Sequence, residues 1–197
     1  MRFDFRYKYE CDSFRLLIEE FERQVENYKN RNEHYAQEVT AHDSDEYQAP
    51  KYIPNYKSIL TSSLIIEAQA LLDFFLPLLV GHIAKVKNKS ISPFDKSWKG
   101  GSVLCWTKHV LNNELGLSYN FGQGPHCKLK EFYEFRNDHI HYGGYVSSDK
   151  NKSRLKGKDG ISSCEFTDLY IVEFSYCRSV INDIEQYFGE IHECSKT

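Results

Sequence analysis

Positions 136 to 141 read Arg136-Asn137-Asp138-His139-Ile140-His141, placing a guanidinium, a carboxamide, a carboxylate and two imidazoles in six consecutive residues. Arginine is the planar clamp for phosphate oxygens, and histidine is the side chain that handles protons near neutral pH. Together they suit phosphodiester chemistry without a metal. Phe132, Tyr133, Arg136 and Ile140 follow helical spacing, which predicts a helix ending near Tyr142 with Gly143 as its left-handed terminator. On that helix Arg136 and His141 diverge by about 140°, so they flank a shared edge and do not close on each other. Asn137 and His141, four apart, and Asp138 and His141, three apart, do stack. Asn137 can then orient His141 or bond a phosphate, and Asp138 can raise the His141 pKa and fix its tautomer.

Blander roles compete for the same residues. Arg136 can pair with Glu131, Glu134 or Asp138 and tie down the helix, and a histidine at position 141 is favoured by the helix dipole. A zinc site is not indicated. His139 and His141 point to roughly opposite sides of a helix, and no third ligand stands at a suitable spacing. His139 is expected to contact solvent or a phosphate.

The segment resembles the Arg-x4-His motif of HEPN domains, in the form Arg-Asn-Asp-x-x-His followed by Gly, over about nine residues. The resemblance implies a late helix of an α-helical bundle with Arg136 and His141 as the catalytic pair. It also implies a metal-independent endoribonuclease that works as a homodimer, two motifs facing one cleft, in a toxin or phage-defence role. RNA would be the substrate, and an antitoxin or regulatory protein a partner. Glu67, on an earlier helix, would line the cleft near Arg136, as polar residues of that helix can in HEPN ribonucleases; Tyr142 would lie beside it. In a subgroup of these toxins a Tyr two residues after the His is modified by a partner nucleotidyltransferase. Here that position is Gly143, with tyrosines at 142 and 145. The family also contains members without demonstrated cleavage, so the alternative is a non-catalytic module that binds RNA, a nucleotide or a partner protein.

The rest of the chain must position these groups. At 197 residues it fits one domain, 1–197, long enough to bury a core unaided. Fourteen Tyr and 13 Phe suit a packed globule. A net charge of −3 supplies no global field for nucleic acid, so RNA contact needs a local basic patch. Lys150, Lys152, Arg154, Lys156 and Lys158, just past the motif, are the candidate; otherwise they form a solvated loop tip. Six cysteines without a Cys-x-x-Cys pair read as reduced thiols. The charged N-terminus lacks an apolar leader segment, so a cytoplasmic location is expected. No cofactor is indicated. The apolar run 64–80 is interrupted by Glu67, Gln69, Asp73 and Pro77, which favours a buried helix over a membrane span.

Residues 2–9 alternate polar and aromatic, a strand signal whose best partner is 161–166. From Asp12 or Ser13 a helical face (Phe14, Leu17, Ile18, Phe21, Val25, Tyr28) runs to about Val39, followed by a polar connection over 41–54. A central helix starts near Asn55, with Pro77 expected to kink or break it. There Glu67 and Asp73 otherwise reach solvent past the apolar stripe. Ser102 or a residue near it caps a third helix in which Trp106 is core and which Gly116 ends. Thr167 caps the last helix, marked by Leu169, Val172, Tyr176, Val180, Ile184 and Phe188. The expected fold is all-α: an up-and-down bundle of about five helices, with a small β accessory from the N-terminus and the segment before the last helix.

Overall fold

The first helix begins where a strand was expected. In the computed structural model, which describes residues 3–40, 52–95, 98, 101–141, 155, 157–163 and 170–196, helix α1 spans Phe3–Thr40. Tyr7, Cys11, Phe14 and Ile18 are all at most 4% exposed, a spacing of four, three and four. Tyr9, which period two would bury beside Tyr7, is 69% exposed. Alternation over eight residues yields to the helical period because Tyr7 and Cys11 extend the stripe that follows them, and lengthening a helix needs no new nucleus.

Helix α2 spans Tyr52–Val86, with Pro54 in its first turn, where backbone N–H groups lack partners in any case. Pro77 lies inside α2 and does not break it. Losing one hydrogen bond and accommodating the ring costs about 3 kcal/mol. Leu72, Phe75, Leu76, Leu79 and Val80, all buried, each contribute about 1.5–3 kcal/mol, so burial on both sides of the proline wins. Among the described residues α2 has the length and hydropathy of a membrane span, and half of that apolar window is buried inside the protein.

Helix α3 (Val103–His109) is capped by Ser102, whose Oγ accepts from the Cys105 N–H at 3.2 Å. It runs into a π-helical turn, Val110–Glu114, and the chain turns at Gly116 with φ +69°. Trp106 is core, 1% exposed, its indole N–H donating to the Ser92 carbonyl at 3.1 Å. Helix α4 (Pro125–His141) carries the motif. Strands β1 (Ile161–Ser163) and β2 (Tyr170–Val172) form an antiparallel pair with Ile161 opposite Val172. Helix α5 spans Phe174–Cys194. Among the described residues there are five α-helices and this two-stranded sheet: an all-α fold with a small β accessory.

Two boundaries differ from expectation. The partner of 161–163 is Tyr170–Val172 rather than the N-terminus, and the last helix therefore starts at Phe174. Leu169 and Val172 match the helical period, yet Tyr170-Ile171-Val172 is also an aromatic and β-branched run suited to a strand. The Glu173 N–H bonds the Gly160 carbonyl at 2.8 Å, which closes the hairpin one residue before α5 begins.

The chain divides into two compact units. One comprises Met1–Asp12, Ile66–Asn137 and Ser179–Thr197. Its core includes Leu72, Leu76, Trp106, Phe132, Tyr187 and Phe188; Phe188 meets Tyr7 edge-on with ring centres 5.4 Å apart. Lys128 pairs with Asp183 at 2.8 Å. The other comprises Ser13–Ile65 and Asp138–Arg178. There Ile18, Leu64, Ile65, Leu155, Val172 and Tyr176 are buried, Arg178 Nη1 donates to Glu22 at 2.6 Å, and Lys57 pairs with Glu173.

Candidate functional site

Helix α4 starts at Pro125, after Gly124 at φ +67°. Leu129, Phe132, Tyr133 and His139 are all at most 8% exposed, and Arg136 falls on the same stripe between Tyr133 and His139. The stripe ends on His139, not on Ile140, which is 36% exposed. That one-residue difference reverses the expectation for His139. Its ring is buried instead of meeting solvent or phosphate, and Ser62 Oγ of α2 lies 2.7 Å from its Nε2. Burial lowers its pKa, so His139 is neutral at pH 7 and supplies no cation.

Arg136 is half-buried. Its Nη1 donates to Asn137 Oδ1 at 3.1 Å, and its Nε is buried with no acceptor among the described residues. No carboxylate stands within ion-pair distance of the guanidinium among the described residues, so the pairings with Glu131, Glu134 or Asp138 are not made. Removing a charge from water without a counter-charge is costly. A part-buried guanidinium left in this condition is a ready receptor for an anion.

Beside it, Tyr133 donates its hydroxyl hydrogen to Asp73 Oδ1 of α2, and Gln69 Nε2 donates to Asp73 Oδ2 at 3.2 Å. Burial, then the Asp73 contact, push the Tyr133 hydroxyl well above the ordinary tyrosine pKa, while the positive charge of Arg136 draws it back. Asp73 is therefore half-buried and bonded to the motif helix; it does not simply reach solvent. Glu67 has an exposed side chain.

Asn137 is exposed and Asp138 half-buried. His141 is the last residue of α4, its side chain outside the described set, as are Tyr142, Lys150, Lys152, Arg154 and Lys156. Lys158 is half-buried, its Nζ 5.9 Å from the centre of the Tyr176 ring. Sequence reasoning missed Ser62 and Gln69 and treated Tyr133 only as a spacing marker. The available signal was Asp73 in the middle of the apolar run of α2, since a carboxylate there needs a donor. Neither a protein-family model, nor a curated protein, nor a solved structure matches this chain.

Proposed function

We propose that the protein is a metal-independent endoribonuclease of HEPN type, acting as a cytoplasmic homodimer in growth arrest or phage defence and restrained by an antitoxin or another regulatory protein. The observation that carries this reading is Arg136: a part-buried guanidinium without a carboxylate partner among the described residues, five positions before a helix-terminal histidine. A group of that kind suits an incoming phosphate. In the proposed reaction His141 accepts the ribose 2′-hydroxyl proton and the 2′-oxygen attacks the adjacent phosphorus. The P–O5′ bond breaks, leaving a 2′,3′-cyclic phosphate and, after protonation of the leaving oxygen, a 5′-hydroxyl. Arg136 steadies the crowded phosphate and Asn137 orients it. Asp138, one turn before His141, favours the imidazolium that forms. Two motif helices related by a two-fold axis would surround one phosphate with both sets.

The test is incubation of single-stranded RNA in EDTA, with analysis of the product ends. Cleavage that yields cyclic phosphates, lost in Arg136→Ala and in His141→Ala while the helical content measured by circular dichroism is kept, supports the proposal. RNA that binds and stays intact makes the protein a holding module. A strict monomer by light scattering at the cleaving concentration removes the composite site.

A further inference from the structure

Helix α2 turns large apolar side chains away from the core over its C-terminal part, all of it within one compact unit. Ile66, Phe74, Leu78 and Val86 are each 44–66% exposed. Positions 67, 71, 74, 78, 81 and 85 alternate steps of four and three, the seam along which two nearly aligned helices pack. On that seam Glu67, Phe74, Leu78 and Lys85 are exposed and Gly81 is half-exposed, while Leu71 leans into the core. At ~1.5 Å per residue the seam runs about 27 Å. With a helix ~10 Å wide it presents a few hundred Å2, the size at which an uncovered apolar patch marks an interaction site.

The order of the residues selects the occupant. Reversal about the level of Leu76 exchanges Phe74 with Leu78, Leu71 with Gly81, and Glu67 with Lys85. The apolar pair falls at the centre and the opposite charges fall at the two ends. Neither Glu67 nor Lys85 makes an ion pair among the described residues. A Cβ at Gly81 would meet nothing within 4 Å. A glycine weakens a helix interior, and here no neighbour in its own chain requires one; a second helix passing close by would. A lipid surface has no use for a face that matches its own reverse, nor for a carboxylate on it.

We infer that the seam 67–85 of α2 is the contact between two copies of this chain, laid antiparallel across a two-fold axis at the level of Leu76. Phe74 of each copy packs on Leu78 of the other, and each Glu67 faces the other copy's Lys85. The inference rests on the homodimer reading, to which it assigns a surface, and it needs no RNA. The seam is smaller than the ~800 Å2 a side of a standard interface, so dissociation is expected in the micromolar range.

The experiment is sedimentation velocity of the full chain across that range, comparing the parent with Glu67→Lys, Lys85→Glu, the double reversal and Phe74→Asp. Each single reversal sets like charges against each other at both ends and is expected to weaken dimerisation about tenfold. The double reversal is expected to return it to within about threefold of the parent. In one chain the two positions lie about 27 Å apart, so rescue arises only between chains. Phe74→Asp is expected to leave a monomer; should it fail to fold, the charge variants decide. A dimer indifferent to these substitutions, or weakened without rescue, overturns the inference and leaves the homodimer reading standing. A monomeric parent overturns both. A monomer that floats with phosphatidylglycerol vesicles, and loses them in Phe74→Asp, gives the face to lipid and overturns the inference. The expected loss and rescue in a dimer that never cuts RNA would uphold the inference and remove the ribonuclease reading.

Discussion

Acidification should destabilise this protein in a window set by buried histidine, with His126 as a main contributor to the slope. His126 is 6% exposed. Its Nδ1 lies 3.0 Å from the Tyr187 hydroxyl, and its ring meets Phe121 edge-on at 4.9 Å. Burial first, then the charges of Lys108 and Lys130, push its pKa down to about 4. Above the unfolded value of about 6.5 the ring is neutral in both states and pH has no effect through it. As pH falls below 6.5 the unfolded chain takes up a proton that the folded chain refuses, so stability declines by up to about 1.4 kcal/mol per unit. The decline levels off below about 4, where the folded ring protonates too. The full shift corresponds to about 3 kcal/mol, reduced to about 2 by residual solvent screening at the ring edge. That is a large share of the ~5–15 kcal/mol typical of a domain. Urea unfolding at pH 7.5, 6.5, 5.5 and 4.5 measures it, alongside His126→Asn, which keeps a polar partner for Tyr187 but cannot titrate. The parent should change little between pH 7.5 and 6.5 and then lose stability at 5.5 and 4.5, and the variant should lose distinctly less. His139, whose pKa burial also lowers, supplies a residual slope of the same sign. Parallel slopes for parent and variant would refute the assignment of His126 as the buried neutral group.

Three further outcomes follow from local geometry. Gly160 has φ +73°, and a Cβ there would lie 2.5 Å from the Tyr176 backbone nitrogen; Gly160→Ala should cost about 2–4 kcal/mol in urea unfolding. Ser62→Ala removes a hydrogen-bond partner of His139 Nε2 and should cost about 0.5–1.5 kcal/mol, the net worth of one such bond. A helical N-terminus makes neighbouring tyrosines unequal: Tyr7→Ala should lower stability by about 3–5 kcal/mol, whereas Tyr9→Ala should stay within about 0.5 kcal/mol. Equal costs for the two would restore the strand.

Much of the helical fold was legible because helical period and caps act locally. The stripe Phe14–Ile18, the Ser102 cap and the turn at Gly116 each declare themselves within a few residues. Trp106 as core followed from the same spacing. The five chemistry-bearing residues of the motif and their order along one helix were likewise visible in the chain. What neighbouring residues could not decide was which competing signal would win. Residues 2–9 satisfied a strand pattern and a helix pattern together, and only the burial of Tyr7 and Cys11 chose. Pro77 was a breaker until the apolar contacts around it outweighed its cost. Tyr170-Ile171-Val172 suited either state until Ile161–Ser163 paired with it. The site shows the same division most sharply. The sequence placed Arg136 beside three possible counter-charges, but the partners that its neighbours Tyr133 and His139 take stand 60 and 77 positions away. Asp73 bonds Tyr133 and Ser62 bonds His139 because tertiary packing aligns α2 with α4. Such long-range choices balance desolvation against available donors, and that balance is decided only when both helices are in place.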